Sequence, residues 1–376
     1  MVVAALAIAG APAVSAQSSQ FGVRGLGLPG RAQSARAMGS AGAFSLFDGE
    51  SAVSPAALAY LGSLTAVFTG MSDYRSSDNP AGSSSIRDFR FPQFLVGGPI
   101  KGLPFAASFS YANYMTRDFS LAFPGTETLG GVPVGTTDTL QSRGGINDLR
   151  LAVAYRPSKR VAVGVAAHVI TGTNRLVLKR VFSDTLYAPA AQRTELSVAS
   201  FGVSLGVLAQ VTDRIALSAL ARTDGEASLE RDSTEVGRVD LPVTLGGGIR
   251  WRPARRLDLA GQVLWRNWSR ANDQLLALGG TGSNNTLEAA GGLEYVTHAR
   301  RPSRLPLRLG VRYARLPFPV TVGAEAKEYG ISAGSGFSFA ADRGTLSLAV
   351  ERAWRSEAAG FNERAWILTA GVTVRP

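Results

Sequence analysis

From Leu64 onward the chain alternates apolar and polar positions with a period of two, the pattern of strands whose two faces meet different surroundings. Val161, Val163, Val165 and Val169 fall on one face, and Ala162, Gly164, Ala166 and His168 on the other. Leu257, Leu259, Val263 and Trp265 alternate with Asp258, Ala260, Gln262 and Arg266. The same holds for Leu346, Leu348 and Val350 against Thr345, Ser347, Ala349 and Glu351, and again across 366–374. Runs of this kind predict fourteen strands, near 63–71, 87–97, 104–117, 146–156, 160–174, 193–211, 214–224, 237–252, 256–269, 285–297, 304–315, 328–340, 344–355 and 362–375. Many reach the roughly 9 to 11 residues that a tilted strand needs to cross a bilayer.

The predicted connections alternate between long (72–86, 118–145, 175–192, 225–236, 270–284, 316–327, 356–361) and short (98–103, 157–159, 212–213, 253–255, 298–303, 341–343). Long outer loops and short periplasmic turns mark an all-β transmembrane antiparallel barrel, closed because lipid offers no partners to a free sheet edge. Tyr111, Tyr114, Tyr155, Trp251, Trp265, Trp268, Tyr295, Tyr313, Trp354 and Trp366 lie near strand ends, where interfacial girdles are expected. A soluble propeller or sandwich gives no reason for loops to alternate in length.

Two segments precede the strands. Residues 1–16 form a short apolar run ending Val14-Ser15-Ala16, read as a signal peptide cleaved before Gln17. Residues 17–62 lack the strand pattern and read as a separate plug ahead of a barrel over 63–376. Within the plug, Ser54 and Pro55 read as an N-cap and first helical residue, Ala56 to Leu61 as a short helix, and Gly62 as its stop. A second helix is expected over Arg31 to Met38, ending at Gly39.

Composition narrows the function. No cysteine occurs, which removes a lipid-anchored N-terminus, disulfides and thiolate metal sites together. The net charge of +11 is carried almost wholly by arginine, clustered in turns such as RPSKR (156–160), RPARR (252–256) and ARRPSR (299–304). Scattered turn cations suit polar rims better than one phosphate-binding face, so no nucleic-acid partner is expected.

The plug also carries a resemblance. ARAMGSAGAF (35–44), Asp48 and SAVSPAALA (51–59) resemble the N-terminal hatch of the FadL-like outer-membrane transporters of long-chain fatty acids and aromatic hydrocarbons, matching at Arg36, Gly39, Gly42, Ala43, Phe44, Asp48, Pro55, Ala56 and Leu58. The resemblance implies a 14-stranded barrel with a lumenal hatch, passing hydrophobic small molecules from an outer groove to a pocket and sideways into the membrane. It implies outer-membrane lipid and the barrel-assembly machinery as partners, no cofactor and no enzymatic activity. Ser54 stands where the family usually has asparagine, the aromatic pair that commonly precedes it is missing, and the chain ends Val374-Arg375-Pro376 without a terminal aromatic. The third strand lacks the glycine or proline that would kink it inward and open the wall. An interaction or shuttle barrel of the type IX secretion kind, and a general porin, are the competing readings.

Candidate chemistry is sparse. His168 lies on the lumenal register with no residue spaced nearby in sequence to complete a Ser-His pair or triad, and His298 falls in a turn. Neither belongs to a metal-ligand spacing. GGTGSNN (279–285) and SAGSGF (332–337) do not lead into helices and are not phosphate cradles. Asp258, Arg266, Glu288, Glu294, Arg308, Arg312 and Glu351 are expected to point inward as a mixed-charge lining that braces the wall or holds the hatch.

Overall fold

The computed structural model describes residues 15–16, 19–79, 82–297, 305–358 and 360–376. Fourteen strands form the wall: β1 (Thr65–Asn79), β2 (Gly82–Pro99), β3 (Phe105–Thr116), β4 (Val132–Tyr155), β5 (Val161–Phe182), β6 (Ala190–Gln210), β7 (Ile215–Thr223), β8 (Val243–Ala254), β9 (Leu257–Arg266), β10 (Thr286–Val296), β11 (Pro306–Arg315), β12 (Lys327–Phe339), β13 (Gly344–Glu357) and β14 (Phe361–Val374). Each pairs antiparallel with the next, and β14 returns to β1 from Asn362↔Asp78 to Val374↔Ala66, closing the barrel. The outward positions are large and apolar, as in Val163, Val165 and Val169 of β5 and Leu307, Leu309 and Val311 of β11. Their alternates are buried inside the barrel. Among the described residues no helix is long and apolar enough to span a membrane.

Most of the expected long loops are strand. β1 and β2 continue upward until only residues 80–81 separate them. β4 begins at Val132, where it forms a hairpin with Phe119–Leu129, and Glu226–Arg231 pairs with Thr234–Asp240 above β7 and β8. Above the apolar belt both faces of a strand meet water, so the ladder persists while the hydrophobic alternation that reveals it is lost. The 270–284 connection carries a 3₁₀ turn, Trp268–Ala271, and a short helix, Asn272–Ala277. The expected signal sequence and His298 lie outside the described residues, except that Ser15–Ala16 pair with Leu121 and Ala122.

Residues 19–64 run through the lumen from its upper end to its lower. At the top, Ser19 Oγ donates to Glu363 (3.1 Å) and Gln20 Nε2 to the Asn362 carbonyl (2.8 Å). At the bottom, Glu50 accepts from Thr373 (2.9 Å) and pairs with Arg375. The first expected helix shrinks, and the second keeps its span to within a residue. The first is one turn, Ala35–Met38, capped by Ser34 Oγ accepting from the Ala37 amide (3.1 Å). Gly39 has an ordinary right-handed φ of −62°, and the left-handed residues that end the turn are Ala41 and Gly42. The second is a 3₁₀ helix, Pro55–Tyr60, for which Ser54 makes no capping bond. Both elements are held by the wall instead of by their own length.

The wall accommodates the segment with glycines. A Cβ on Gly310 of β11 would lie 2.2 Å from the Ser40 carbonyl carbon, one on Gly164 of β5 2.5 Å from that of Pro55, and one on Gly334 of β12 2.7 Å from Gly39 Cα. Gly371 of β14 seats Ala35 in the same way, and Gly206 of β6 seats Ser54. Between these seats, Leu58 packs on Ala106, Ala152, Ala154 and Ala166, Phe44 on Ala260 and Ala290, and Ala56 on Leu46 and Leu208.

Candidate functional site

The wall is interrupted between β2 and β3. These strands pair from Pro99↔Ala106 up to Gln93↔Ala112 and no further, so among the described residues β1 is the one wall strand that pairs with β2 above Pro92. Pro92 supplies no amide to the ladder. The β3–β4 register also shifts between Asn113 and Met115, which turns the upper end of β3 away. Leu28–Pro29 of the N-terminal segment takes the vacated edge, pairing with Thr116 and Met115, while the Gly30 amide donates to the Tyr114 carbonyl (2.9 Å). The fit is close: a Cβ on Gly30 would meet the Asn113 carbonyl oxygen at 2.0 Å, and Gly27, at φ 105°, has no room for one beside Thr116. β3 itself holds no glycine or proline, and Pro92, at the edge of the break, belongs to β2.

Behind the break lies a string of cavities. The outermost, about 310 Å³, occupies the break and is bordered by Asp73, Arg75, Arg90, Asp118 and Leu28. Burial raises the Asp118 carboxyl, above the membrane span, beyond its ordinary range, against the opposing Gly144 amide. Leu28, Arg75 and Arg90 also border a second cavity of about 70 Å³, which shares Gly30, Arg31, Arg266, Trp268 and Glu288 with a third of about 100 Å³. The third reaches Tyr114, Asp148, Leu220, Arg222 and Leu264 in the lumen. A separate cavity of about 280 Å³ opens at the lower end, around Arg36, Glu50 and Arg375. It shares no lining residue with the string, and the Gln33–Val53 stretch stands between them. Burial first, and then Asp48, raise the Glu50 carboxyl above its ordinary range, with Arg375 opposing.

All seven inward charges named from the sequence fall into ion pairs. Glu294 takes Arg36 of the inner segment (3.0 Å) and Arg308 (2.6 Å) together. Arg312 joins Glu328 and Glu351, and Glu351 also receives Arg31 (2.8 Å). Arg266 reaches Glu288 at 3.3 Å and both line the inner cavities. Asp258 differs: it sits at the lower rim with Arg252 (2.7 Å) and touches none of these cavities. Within the segment, Asp48 accepts from Ser34 (2.6 Å) and Ser51 (2.8 Å), folding the turn that presents Arg36 to the wall.

His168 corrects the sequence reading. Strand register, which sequence spacing cannot show, places partners on both of its sides: Nδ1 lies 2.9 Å from Asp148 on β4 and Nε2 lies 2.9 Å from Ser204 on β6. Asp148 also binds Arg222 (2.8 Å), which as a carboxylate makes it an acceptor; Nδ1 therefore carries the proton and Ser204 donates to Nε2. The order is that of a serine hydrolase, but His168 and Ser204 are 1% and 2% exposed and border none of the cavities above, so the trio ties three wall strands together. The network continues through Arg222 and Asp224 to the Tyr114 hydroxyl (2.9 Å). Tyr114 and Trp268, expected in the girdles, instead face inward. Trp268 is 1% exposed and packs edge-on against Phe318 in an apolar cluster with Leu26, Met115 and Ile170.

The same architecture occurs in solved structures. A Pseudomonas aeruginosa FadL homologue superposes with a TM-score of 0.61 at 13% identity, over 93% of this chain and 99% of that one. The Ralstonia pickettii toluene transporter TbuX gives 0.57 at 15% identity over 93% and 99%, and the monoaromatic hydrocarbon channel CymD 0.55 at 15% over 94% and 99%. No family model and no curated protein sequence matches the chain. The chain thus has a FadL-like fold.

Proposed function

We propose that the protein is a passive channel of the bacterial outer membrane for hydrophobic small molecules, in which residues 19–62 act as the hatch and the break between β2 and β3 as the way through the wall. One observation carries this reading: a string of cavities leads inward from a break in the wall and stops at a segment that fills the lumen below it. A general porin needs a water-filled passage along the barrel axis, whereas here the axial path meets the seated segment. Structures of similar fold include channels for toluene and other monoaromatic hydrocarbons, which supports the class of cargo without identifying it. On this reading the outer surface contacts outer-membrane lipid, the chain is inserted by the barrel-assembly machinery, and no residue performs covalent catalysis.

Cells producing the protein should accumulate radiolabelled toluene or a fluorescent fatty acid faster than cells carrying an empty vector. Equal accumulation of both compounds, together with stoichiometric copurification of a protein partner, would instead support an interaction barrel.

A further inference from the structure

The outer face of β11–β14 carries cations that the chain itself does not neutralise. Strand register sets the outward side chains there in rows. Arg315↔Lys327 lies uppermost, Tyr313↔Tyr329↔Trp354↔Arg364 runs below it, and Val311↔Ile331↔Arg352↔Trp366 below that. Further down the outward residues are apolar, as in Leu309, Leu348 and Leu368. The cations therefore stand at the upper margin of the apolar belt, among aromatic rings, where lipid headgroups lie.

Arg315 and Lys327 oppose each other directly on neighbouring strands, a placement of like charges that destabilises a sheet. Glu325, 3.7 Å from Arg315, offsets one of them. Arg352 and Arg364 are diagonal neighbours, about 7–8 Å apart at the backbone. Among the described residues no carboxylate lies within 4 Å of the charged group of Lys327, Arg352 or Arg364. Asp78, on the strand beside Arg364 and one row higher, accepts instead from Ser83 (2.7 Å). The Arg352 guanidinium is held over the rings of Trp354 (5.8 Å) and Trp366 (4.9 Å). Such contacts orient a cation without neutralising it, and an unpaired cation at the edge of hydrocarbon is costly. Its counter-ion has to come from outside the chain.

The same face is hollowed beside the cations. A trough of about 700 Å³ opens outward across β8–β12, with Gly247, Gly261, Ala289 and Gly291 along its floor and Val311 at its flank. Tyr313 and Tyr329, whose rings lie 5.2 Å apart, bound its end on the β11–β12 side, directly below Arg315 and Lys327. An apolar trough under a cluster of cations matches an amphiphile with its chain below and its anion above. Phosphate monoesters fit these cations best, because each carries close to two charges and can take two hydrogen bonds from one guanidinium. We infer that this face binds an outer-leaflet lipid whose headgroup bears phosphate monoesters, held by Arg352 with Arg364 and by Arg315 with Lys327, with an acyl chain in the trough. The inference uses the outer-membrane placement of the barrel and is independent of transport.

The test is native mass spectrometry of the purified full-length barrel given phosphatidic acid and phosphatidylethanolamine with identical chains, and, separately, diphosphoryl lipid A. The wild type should retain phosphatidic acid roughly thirtyfold better than phosphatidylethanolamine, at roughly fivefold for each of two cations, and should retain lipid A through delipidation. Arg352→Gln with Arg364→Gln, and Arg315→Gln with Lys327→Gln, should each cut that preference severalfold, and the four together should abolish it. Arg175→Gln removes an outward arginine paired with Glu195 elsewhere on the barrel and should leave it unchanged. Gly291→Leu, which fills the trough, should lower retention of both phospholipids without changing their ratio. All variants should keep the heat-modifiable migration of a folded barrel. No preference in the wild type, a preference that survives the fourfold variant or falls equally in Arg175→Gln, retention untouched by Gly291→Leu, displacement of the lipid by inorganic phosphate alone, or a lipid-free dimer would each overturn the assignment. Toluene uptake by cells is measured separately: if uptake persists while the lipid preference is missing, the lipid site fails and the channel stands.

Discussion

The sharpest consequence of the inner segment's seating concerns one hydrogen atom on Gly310. Replacing it with a methyl group would set a carbon 2.2 Å from the Ser40 carbonyl carbon, 2.3 Å from its oxygen and 2.7 Å from the Ala41 nitrogen. Ordinary carbon contacts lie at about 3.5 Å or more, so something must move by more than an ångström. β11 cannot yield, because it is laddered to β10 and β12 along this stretch. Its cross-strand neighbour Gly292 crowds the same residue, since a Cβ there would lie 2.8 Å from the Ser40 oxygen. The segment must therefore rise off its seat. Overpacking a fitted site costs about 1–3 kcal/mol. That shifts the balance between seated and unseated segment by roughly 5- to 150-fold. In planar bilayers the wild-type barrel should be almost closed and Gly310→Ala should open in frequent bursts. Gly247→Ala is the control, because its methyl group would meet nothing within 4 Å. Both variants should still show the heat-modifiable gel migration of a folded barrel. If folded Gly310→Ala conducted no more than Gly247→Ala, the segment would not be held on that glycine and the reasoning would fail.

Other outcomes follow from the same contacts. Arg36→Glu sets a carboxylate against Glu294, so it should raise conductance further than Arg36→Ala; equal conductance of the two would remove the ion pair from the account of how the segment is held. Because the chain has no cysteine, Leu28→Cys with Thr116→Cys, which are register partners, should form a disulfide that pins the segment across the break, abolish toluene uptake, and be relieved by reductant; uptake indifferent to oxidation would mean the route lies elsewhere. Glu50 has its carboxyl pKa raised on folding, so the folded state holds the proton more firmly and the stability this gives is lost as pH rises through the raised value. Glu50→Gln should accordingly melt above wild type at about pH 8 and level with it at about pH 4, and an equal difference at both would refute the assignment.

The barrel was legible because lipid writes on it: Val163, Val165 and Val169 face an apolar phase and their neighbours do not, so period two survives in the sequence. Where the strands leave the lipid, as in Gly82–Ile86, that imprint fades and the sequence reads as loop. The inner segment is recognisable through Arg36, Gly42, Asp48 and Pro55, but its first helix reads too long and the 3₁₀ form of its second is not visible, since what fixes Ala35–Met38 and Pro55–Tyr60 is contact with glycines on distant strands. The partners of His168 were hidden for the same reason: Asp148 and Ser204 are 20 and 36 residues away in sequence and become neighbours only through strand register. Trp268 reads as interfacial in the sequence because it is an aromatic near a strand end, but the chain already leaves the strand at Asn267.

The closing pair of strands gives the inner segment a part in assembly. A barrel becomes a barrel only when its first and last strands meet, and a nascent one is open at that seam. Here the seam is gripped from within: Ser19 and Ser77 converge on Glu363, Glu50 holds Thr373 and Arg375, and Ala52 packs with Val67 while its amide donates to Gln93 beside the first strand. A segment bonded to both sides of the seam can satisfy its polar groups only once the seam is shut. The inner segment thus bonds to both sides of the seam like a clasp, and a chain lacking residues 19–62 should linger longer in the open, assembling form.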